Sequence, residues 1–216
     1  MDAKKKSARA SIRISFIESM ECLPVSVLPE GKEWSYEIKL DGFRLEAVKK
    51  KGVTTLYSRR GNILNRQFPY IAMALKDLPD DTILDGEVVA LDRQGRSDFN
   101  LLQNFRSAES KIHYYVFDIL ALKGKDVSKL PLAKRRQLLA KALKPNDHIS
   151  TSPTEAGSST KILAFVKQHG LEGVVAKRLN SQYEPGKRSG GASTASTWAR
   201  NLSWAGTPPA VLVSMP

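Results

Sequence analysis

The segment Lys39-Leu40-Asp41-Gly42-Phe43-Arg44 is the most informative stretch of this chain. It follows the apolar run Trp34-Ser35-Tyr36-Glu37-Ile38, which predicts a buried strand that ends at an Asp-Gly turn. A lysine at the end of a buried strand loses water, which lowers the pKa of its amine and favours the neutral, nucleophilic form. Asp41 is placed to orient the amine, and Gly42 allows the backbone to approach a ligand closely. The same pattern also fits an ordinary hairpin with an exposed lysine, so both interpretations stay open for this segment alone.

Further motifs follow this segment in a fixed order. They are Ser58-Arg59-Arg60-Gly61-Asn62, Leu84-Asp85-Gly86-Glu87-Val88-Val89, Tyr114-Tyr115-Val116-Phe117-Asp118-Ile119-Leu120, Leu171-Glu172-Gly173-Val174-Val175-Ala176-Lys177-Arg178 and Ser181-Gln182-Tyr183-Glu184-Pro185-Gly186-Lys187-Arg188-Ser189. The set resembles the covalent nucleotidyltransferases, which comprise ATP-dependent DNA ligases, RNA ligases and mRNA capping enzymes. It is most like the ligase domain of bacterial ligase D-type proteins of double-strand break repair. The resemblance runs from about Phe16 to Ser189, and several ordered motifs are far more specific than one Lys-x-Asp-Gly.

The length, net charge and cysteine content of the chain indicate its size class, its kind of partner and its cellular compartment. The 216 residues are enough for one large domain or two small ones. Lysine and arginine number 34 against 22 acidic residues, a formal charge of +12. This excess favours nucleic acid as a partner, although a basic protein without one fits equally well. A single cysteine, Cys22, indicates no disulfide framework and a reducing, cytoplasmic compartment, and no apolar run approaches the ~20 residues of a membrane span.

The pattern of elements predicts an α+β fold with antiparallel sheets. Hairpins dominate, and strands and helices alternate irregularly. The predicted strands are 34–38, 46–48, 53–57, 82–91 with an Asp-Gly interruption, 112–120 and 174–175. The predicted helices are 68–75, a short one capped by Ser97 or Asp98, 131–143, and one from Ser158 or Ser159 to Gln168 that Gly170 ends. The resemblance implies that helices flank the two sheets and that the nucleotide cleft lies between the sheets.

Three segments are expected along the chain. Residues 1–12 form a basic, flexible N-terminal tail. Residues 13–189 form the adenylation (nucleotidyltransferase) domain. Residues 190–200 are small and polar, unlike the family, and residues 190–216 are expected to form a disordered tail.

The resemblance implies a three-step reaction that uses ATP as AMP donor and Mg²⁺ or Mn²⁺. Lys39 attacks the α-phosphate, the AMP passes to the 5′-phosphate of a DNA nick, and the 3′-hydroxyl displaces AMP. Nicked double-stranded DNA is the expected substrate of a monomeric enzyme, with end-joining repair proteins as possible partners. Positioning and charge neutralisation supply most of the catalysis in such transfers.

The resemblance also implies roles for particular side chains. The nucleotide-binding set is Glu37, Arg44, Arg59, Glu87, Phe117 and Lys177. The metal carboxylates are Glu172 and Asp85, with support of Glu87 as the alternative role for Asp85. The DNA or phosphate contacts are Arg60, Lys187 and Arg188. Phe117 would stack on adenine, although a core position on a central strand is the alternative. An exposed strand end is the alternative for Arg59 and Arg60. Strand alternation places Glu172 and Lys177 on opposite faces unless Gly173 marks a bulge.

The family pattern breaks after Ser189. The family has there an aromatic residue, two closely spaced basic residues and a strand into an oligonucleotide-binding (OB) domain, and neither feature is expected in this chain. A frameshift is one hypothesis, because codons permitted for residues 193–208, read from the preceding third base, give Tyr-Arg-Lys-Tyr, Glu-Leu-Val-Val-Gly and Tyr-Thr-Pro. Slow self-adenylylation and poor nick sealing are the expected consequences.

Three functions stay open at this point. The first is an ATP-dependent DNA ligase catalytic domain, weakened by the loss of the final motif. The second is an RNA ligase or a capping-type guanylyltransferase. The third is a non-catalytic remnant that binds nucleotide or DNA.

Overall fold

The computed structural model describes residues 13–104, 111–156 and 158–195. The predicted N-terminal tail, 1–12, and residues 196–216 lie outside this part of the chain. The strands are β1 Glu21–Pro24, β2 Trp34–Lys39, β3 Phe43–Lys50, β4 Val53–Ser58, β5 Thr82–Leu91, β6 Lys111–Leu122, β7 Lys125–Asp126, β8 Ile149–Thr151, β9 Glu155–Ala156, β10 Gly173–Arg178 and β11 Arg188–Ala195. The helices are α1 Pro69–Ala74, α2 Phe99–Gln103, α3 Leu132–Ala142 and α4 Ser159–His169.

The strands form two sheets, which confirms the predicted α+β class. The six-stranded sheet has the order β4-β3-β5-β6-β7, with β8 added beside β6. The five-stranded sheet has the order β1-β11-β10-β2-β9. Most pairings are antiparallel, as predicted, but β1 with β11 and β6 with β8 are parallel. These two exceptions join strands that are distant in sequence, and such connections permit either direction.

Local sequence signals set the helix ends. The Ser158 hydroxyl accepts a hydrogen bond from the Thr160 N–H at the start of α4, and Gly170 ends this helix in the left-handed conformation at φ 64°. The Asp98 carboxylate accepts from the N–H groups of Asn100 and Leu101 and so caps α2. These predicted caps are confirmed.

Each sheet packs one face against helices. The six-stranded sheet forms the main core with α1 and α3, in which Leu45, Leu84 and Leu139 are buried. The five-stranded sheet buries Tyr36 and Val174 against α4. Full burial of such a side chain contributes roughly 1.5–3 kcal/mol.

A bulge interrupts the pairing of β5 with β6 at the predicted Asp-Gly position. Asp85 pairs with Asp118 and Gly86 with Val116, which leaves Phe117 as the extra residue. A Cβ added to Gly86 would lie 2.4 Å from the Tyr115 carbonyl oxygen, so only glycine fits this position. Bulges of this kind redirect a side chain.

The disorder that was predicted from residue 190 does not begin there, because β11 continues to Ala195. Backbone pairing with β10 joins Val174 to Thr194 and Ala176 to Ala192. The small residues suit this crowded strand: a Cβ on Gly191 would lie 2.8 Å from Cys22 Sγ. Backbone hydrogen bonds thus extend the sheet through a segment of small side chains.

Among the described helices, none has both the length and the apolar character needed to cross a membrane.

Candidate active site

Lys39 lies at the end of β2, in a cleft of about 690 Å³ between the two sheets. Its side chain is 33% exposed. Burial lowers the pKa of the Lys39 amine, whereas the charges of Asp41 and Glu87 act in the opposite direction. Burial thus favours the neutral amine that a nucleophile requires, whereas the neighbouring carboxylates favour the ammonium.

The turn after Lys39 is fixed by neighbouring backbone. The Asp41 N–H donates to the Ser97 hydroxyl oxygen over 3.3 Å. A Cβ added to Gly42 would lie 2.3 Å from the Val88 carbonyl oxygen. Gly42 thus allows β3 to approach β5, whereas the sequence had suggested an approach to a ligand.

Glu172 contacts Lys39 directly, and the two side chains form an ion pair. The contact follows from the register of the five-stranded sheet, in which Gly173 lies opposite Lys39. Glu172 precedes β10, so strand alternation does not separate it from Lys177, and a bulge at Gly173 is not needed. The carboxylate predicted to bind a metal is therefore beside the predicted nucleophile.

Asp85 does not fit its predicted role as a metal ligand. The residue is fully buried, and its Oδ1 accepts from Arg44 Nε over 2.6 Å. Its Oδ2 accepts from Arg44 Nη2 over 2.6 Å and from the Tyr183 hydroxyl over 2.7 Å. Both oxygens are thus occupied beneath the cleft, and the ion pair holds Arg44 in place.

Of the two carboxylates predicted to bind Mg²⁺, Glu172 alone remains a candidate ligand, because the oxygens of Asp85 are occupied. No group of three or more histidine, cysteine, aspartate or glutamate side chains in the described ranges could hold a metal ion. Mg²⁺ commonly binds one or two protein carboxylates together with substrate phosphates, so one carboxylate beside a triphosphate fits the requirement.

Arg44 and Glu87 lie opposite each other on β3 and β5 and both line the cleft. Burial raises the pKa of Glu87 to about 7, although the Arg44 charge opposes this shift. A carboxyl group that titrates near neutrality is able to accept or donate a hydrogen bond. This geometry is compatible with the predicted contact to ribose hydroxyls.

Phe117 lines the cleft and is not a core residue, because the β6 bulge places it there. Two cations contact its ring: Lys177 Nζ lies 3.9 Å and Arg44 Cζ lies 4.5 Å from the centroid. The ring faces attract positive charge. A base that stacks on Phe117 would therefore either displace one of these cations from the ring face or stack on the ring next to it.

Glu37 is buried between two cations. Its Oε2 accepts a hydrogen bond from Lys177 Nζ over 2.9 Å, and its Oε1 contacts Arg136 Nη2. Arg136 also donates to the Ser35 hydroxyl oxygen over 2.6 Å. Glu37 lines the cleft as predicted, but its carboxylate is engaged by protein groups.

Glu21 brings together arginines from two of the predicted motifs, 58–62 and 181–189. Glu21 pairs with Arg59 over 3.4 Å and with Arg188 over 2.8 Å. Arg60 lines the cleft and is exposed. Lys187 pairs with Glu184 over 3.1 Å and is also exposed. The four basic residues, which we name the basic edge, are accessible to a phosphate backbone.

The family model for the ATP dependent DNA ligase domain matches residues 17–192. The chain belongs to this family. The geometry above therefore describes the adenylation domain of an ATP-dependent DNA ligase, with the predicted nucleotide-binding residues around one cleft.

Two curated relatives and one solved structure show the extent of the match. The multifunctional non-homologous end joining DNA repair protein LigD of Mycobacterium tuberculosis is 31% identical over 176 residues, which are 81% of this chain and 22% of that protein. DNA ligase C1 of Mycolicibacterium smegmatis is 38% identical over 180 residues, which are 76% of this chain and 52% of that protein. A mycobacterial DNA ligase D structure with ATP and MES has a TM-score of 0.73 and 30% identity, over 83% of this chain and 60% of that chain.

The chain thus spans about a fifth of the LigD protein and about half of the ligase C1 protein. The similarity covers the adenylation domain.

Arg136 is a site residue that the sequence did not reveal. Arg135 and Arg136 read as the basic face of an amphipathic helix. Yet Arg135 follows Leu132 by three residues and precedes Leu139 by four, and this spacing is that of a core position. Arg135 is indeed fully buried and pairs with Asp118 over 2.7 Å. The charged residue at a core position was the available sequence signal that the arginines of α3 form ion pairs with the sheets.

Proposed function

We propose that this chain is the catalytic domain of an ATP-dependent DNA ligase that forms a covalent lysyl-AMP on Lys39. The observation that supports this most directly is the partly buried Lys39 amine, which faces a cleft shared by Glu87, Phe117 and Lys177. An amine, a flat ring and a second cation suit a nucleoside triphosphate.

In the first step the lone pair of Lys39 Nζ forms a bond to the α-phosphorus of ATP. The bond from this phosphorus to the bridging oxygen breaks, pyrophosphate leaves with the electron pair, and one proton passes from the amine to solvent. A 5′-phosphate oxygen of the nick then attacks the same phosphorus and releases Lys39. Finally the 3′-hydroxyl oxygen forms a bond to the 5′-phosphorus, the bond from this phosphorus to the AMP oxygen breaks, and AMP leaves with the electron pair while the hydroxyl proton passes to solvent.

The residues of the cleft position the reactants. Phe117 provides a face for adenine, and Glu87 provides a hydrogen-bonding partner for the ribose. Arg44, fixed by Asp85, places positive charge beside the nucleotide. Lys177 stabilises the negative charge that develops on the α-phosphate. Glu172 would hold Mg²⁺, which would neutralise phosphate charge when bound.

Nicked duplex DNA fits the basic edge of Arg59, Arg60, Lys187 and Arg188. Backbone phosphates are the expected contacts, since such contacts position DNA without reading its sequence. We propose action in the cytoplasm on broken or nicked DNA, in keeping with the end-joining role that the LigD name states for that relative.

We also propose that adenylylation by this chain is slow. Ser193 of β11 lines the cleft, and the resemblance implies two basic residues in this part of the chain. The family match ends at residue 192, immediately before the proposed frameshift at Ser193. Less positive charge near the triphosphate predicts a slower first step and poor sealing. Sequencing of the gene tests the frameshift, which is wrong if no single-base shift restores the expected string.

Labelled nucleotide tests the proposed activity. Incubation with Mg²⁺ and labelled ATP should attach acid-labile label to the protein, whereas labelled GTP should not. Label from GTP alone would favour a capping-type guanylyltransferase. Binding of ATP or DNA without any covalent label would favour a non-catalytic remnant and would contradict the proposal.

Nicked substrates separate the two types of ligase. A nick with DNA strands should be sealed at least slowly, and an all-RNA nick should be sealed less well. Preference for RNA would identify an RNA ligase, and rapid sealing of DNA would contradict the proposed impairment.

A further inference from the structure

Helix α3 connects the two sheets that form the cleft. Arg135 forms a bidentate ion pair with Asp118 of β6, with distances of 2.7 and 2.8 Å. The next residue, Arg136, reaches Ser35 and Glu37 of β2. The first turn of the helix also donates from the Leu132 N–H to the Ser181 carbonyl oxygen. Adjacent arginines on one helix therefore contact strands of the two different sheets.

The Glu37 carboxylate divides its two oxygens between Arg136 and Lys177. Its side chain is only 4% exposed, and those of Arg136 and Lys177 are 18% and 16% exposed. The Lys177 ammonium lies between this carboxylate and the Phe117 ring. In this position Glu37 holds the ammonium, so the carboxylate competes with a nucleotide phosphate for the charge of Lys177.

Movement of Lys177 would leave a lone buried carboxylate if Arg136 were absent. A buried charge without a partner is costly, whereas a paired one is tolerated. Arg136 remains on Glu37 through its guanidinium, and its stem is fixed because α3 is anchored to β6. The carboxylate thus keeps one counter-ion while Lys177 moves.

We propose that Arg136 is a positioning residue that neutralises Glu37 and so releases Lys177 to the nucleotide phosphate. This inference depends on the proposed lysyl-AMP chemistry for its consequence, but the Arg136–Glu37–Lys177 linkage is a property of the folded protein. Arg136 itself has no contact with the reacting atoms in this scheme. Its effect reaches the phosphate only through Glu37 and Lys177.

The kinetic test is a double-mutant cycle on the first step. Arg136→Met should lower the rate of lysyl-AMP formation by about 10- to 100-fold, the effect of leaving a buried carboxylate unpaired. In a Glu37→Gln background the same substitution should have no further effect, because the amide needs no counter-ion. An equal loss in both backgrounds would overturn the proposal, since it would indicate a structural role or direct contact with the nucleotide.

Two further variants serve as controls for the double-mutant cycle. Lys134→Met removes a positive charge from the exposed surface of the same helix and should leave the rate unchanged. Arg136→Lys keeps the charge but loses the two-pronged contact with Ser35 and Glu37, so it should restore part of the rate. Failure of the lysine variant to exceed the methionine variant would contradict the assigned role.

Chemical labelling tests the linkage without any catalysis. In Arg136→Met, Lys177 becomes the one cation on Glu37, so an amine-modifying reagent should label Lys177 more slowly than in the parent protein. Peptide mass spectrometry measures this labelling, with Lys134 as the internal standard. Unchanged or faster labelling would refute the linkage. If the parent protein forms no lysyl-AMP but Lys177 is still labelled more slowly in Arg136→Met, the proposed function is rejected and the Arg136–Glu37–Lys177 linkage is supported.

Discussion

Asp85 holds Arg44 and Tyr183 beneath the cleft through three hydrogen bonds. Burial raises the pKa of Tyr183, and the charge of Asp85 raises it further, so the phenol remains a hydrogen-bond donor. The Arg44 guanidinium is fixed between Asp85 and the Phe117 ring. A single buried carboxylate therefore determines the position of a predicted nucleotide contact.

Asp85→Asn should lower the free energy of unfolding by about 3 kcal/mol, because one partner of a buried ion pair is lost. Urea denaturation measures this change. Glu21→Gln is the control, since Glu21 pairs with exposed arginines and its loss should cost less than about 1 kcal/mol. Equal costs for the two variants would contradict the structural role of Asp85.

Glu46 is a buried carboxyl group on β3. Its Oε1 accepts from the Ile17 N–H over 2.9 Å, and no described donor reaches its Oε2. Burial raises the pKa of Glu46 to about 9, against 4.5 for its ordinary value. The folded protein thus holds a proton at Glu46 that the unfolded chain loses between these two pH values.

Stability should therefore fall as pH rises from about 4.5 towards 9, because the unfolded chain ionises first. Glu46→Gln mimics the neutral acid and should remove this part of the pH dependence. Urea unfolding at pH 6 and pH 8.5 measures the difference between the two proteins. A parent protein and variant with parallel pH profiles would show that Glu46 titrates normally.

At the scale of elements, the turn between β2 and β3 depends on close contact with β5. Gly42 lies at this crossing, where an added Cβ would lie 2.3 Å from the Val88 carbonyl oxygen and 2.9 Å from Val89 Cγ1. Backbone atoms move less readily than a flexible side chain. The position of Lys39 therefore depends on the small size of a neighbouring residue.

Gly42→Ala should destabilise the protein by about 1–3 kcal/mol, the usual cost of overpacking, and should slow lysyl-AMP formation. Gly52→Ala is the comparison, because its Cβ would meet nothing within 4 Å, although its φ of 77° carries a backbone cost. The first variant should lose adenylylation and the second should retain it. Equal activities would show that the crossing tolerates a methyl group.

Local patterns were sufficient to predict most elements. Apolar runs and caps predicted β2, β5, β6 and the ends of α4, because these signals lie within a few residues of the boundaries they set. The parallel pairing of β1 with β11 was not predictable, since it depends on contacts between distant segments. β11 itself was missed because backbone pairing, and not its small side chains, holds it in the sheet.

In the candidate site, too, the sequence identified some residues correctly and misassigned or missed others. Motif order identified Lys39, Phe117 and Lys177 as cleft residues, and they meet there. Asp85 was misassigned because a carboxylate in a motif gives no information on whether its oxygens are already occupied. Arg136 was missed because its partner Glu37 lies 99 residues away in sequence.

At the scale of the whole molecule, the formal charge of +12 and the basic edge predict salt-sensitive binding to nicked DNA. Each phosphate contact contributes a slope of about −0.9 to the dependence of log affinity on log salt. The double variant Arg60→Gln, Lys187→Gln should therefore reduce the slope by about 2, as measured by fluorescence anisotropy.

The matched control is Lys141→Gln, Lys161→Gln, which removes the same charge from exposed positions on α3 and α4. Its slope should stay near that of the parent protein. Equal slopes for the two double variants would mean that net charge, and not the basic edge, governs DNA binding.

Intact-mass measurement after incubation with ATP and Mg²⁺ tests the proposed role of Lys39 most directly. A fraction of the parent protein should gain the mass of one AMP group, and peptide mapping should place the group on Lys39. Lys39→Arg, which keeps the charge but lacks a nucleophilic amine, should gain nothing. An AMP group on another residue, or an adduct that persists in Lys39→Arg, would contradict the assignment of Lys39 as the nucleophile.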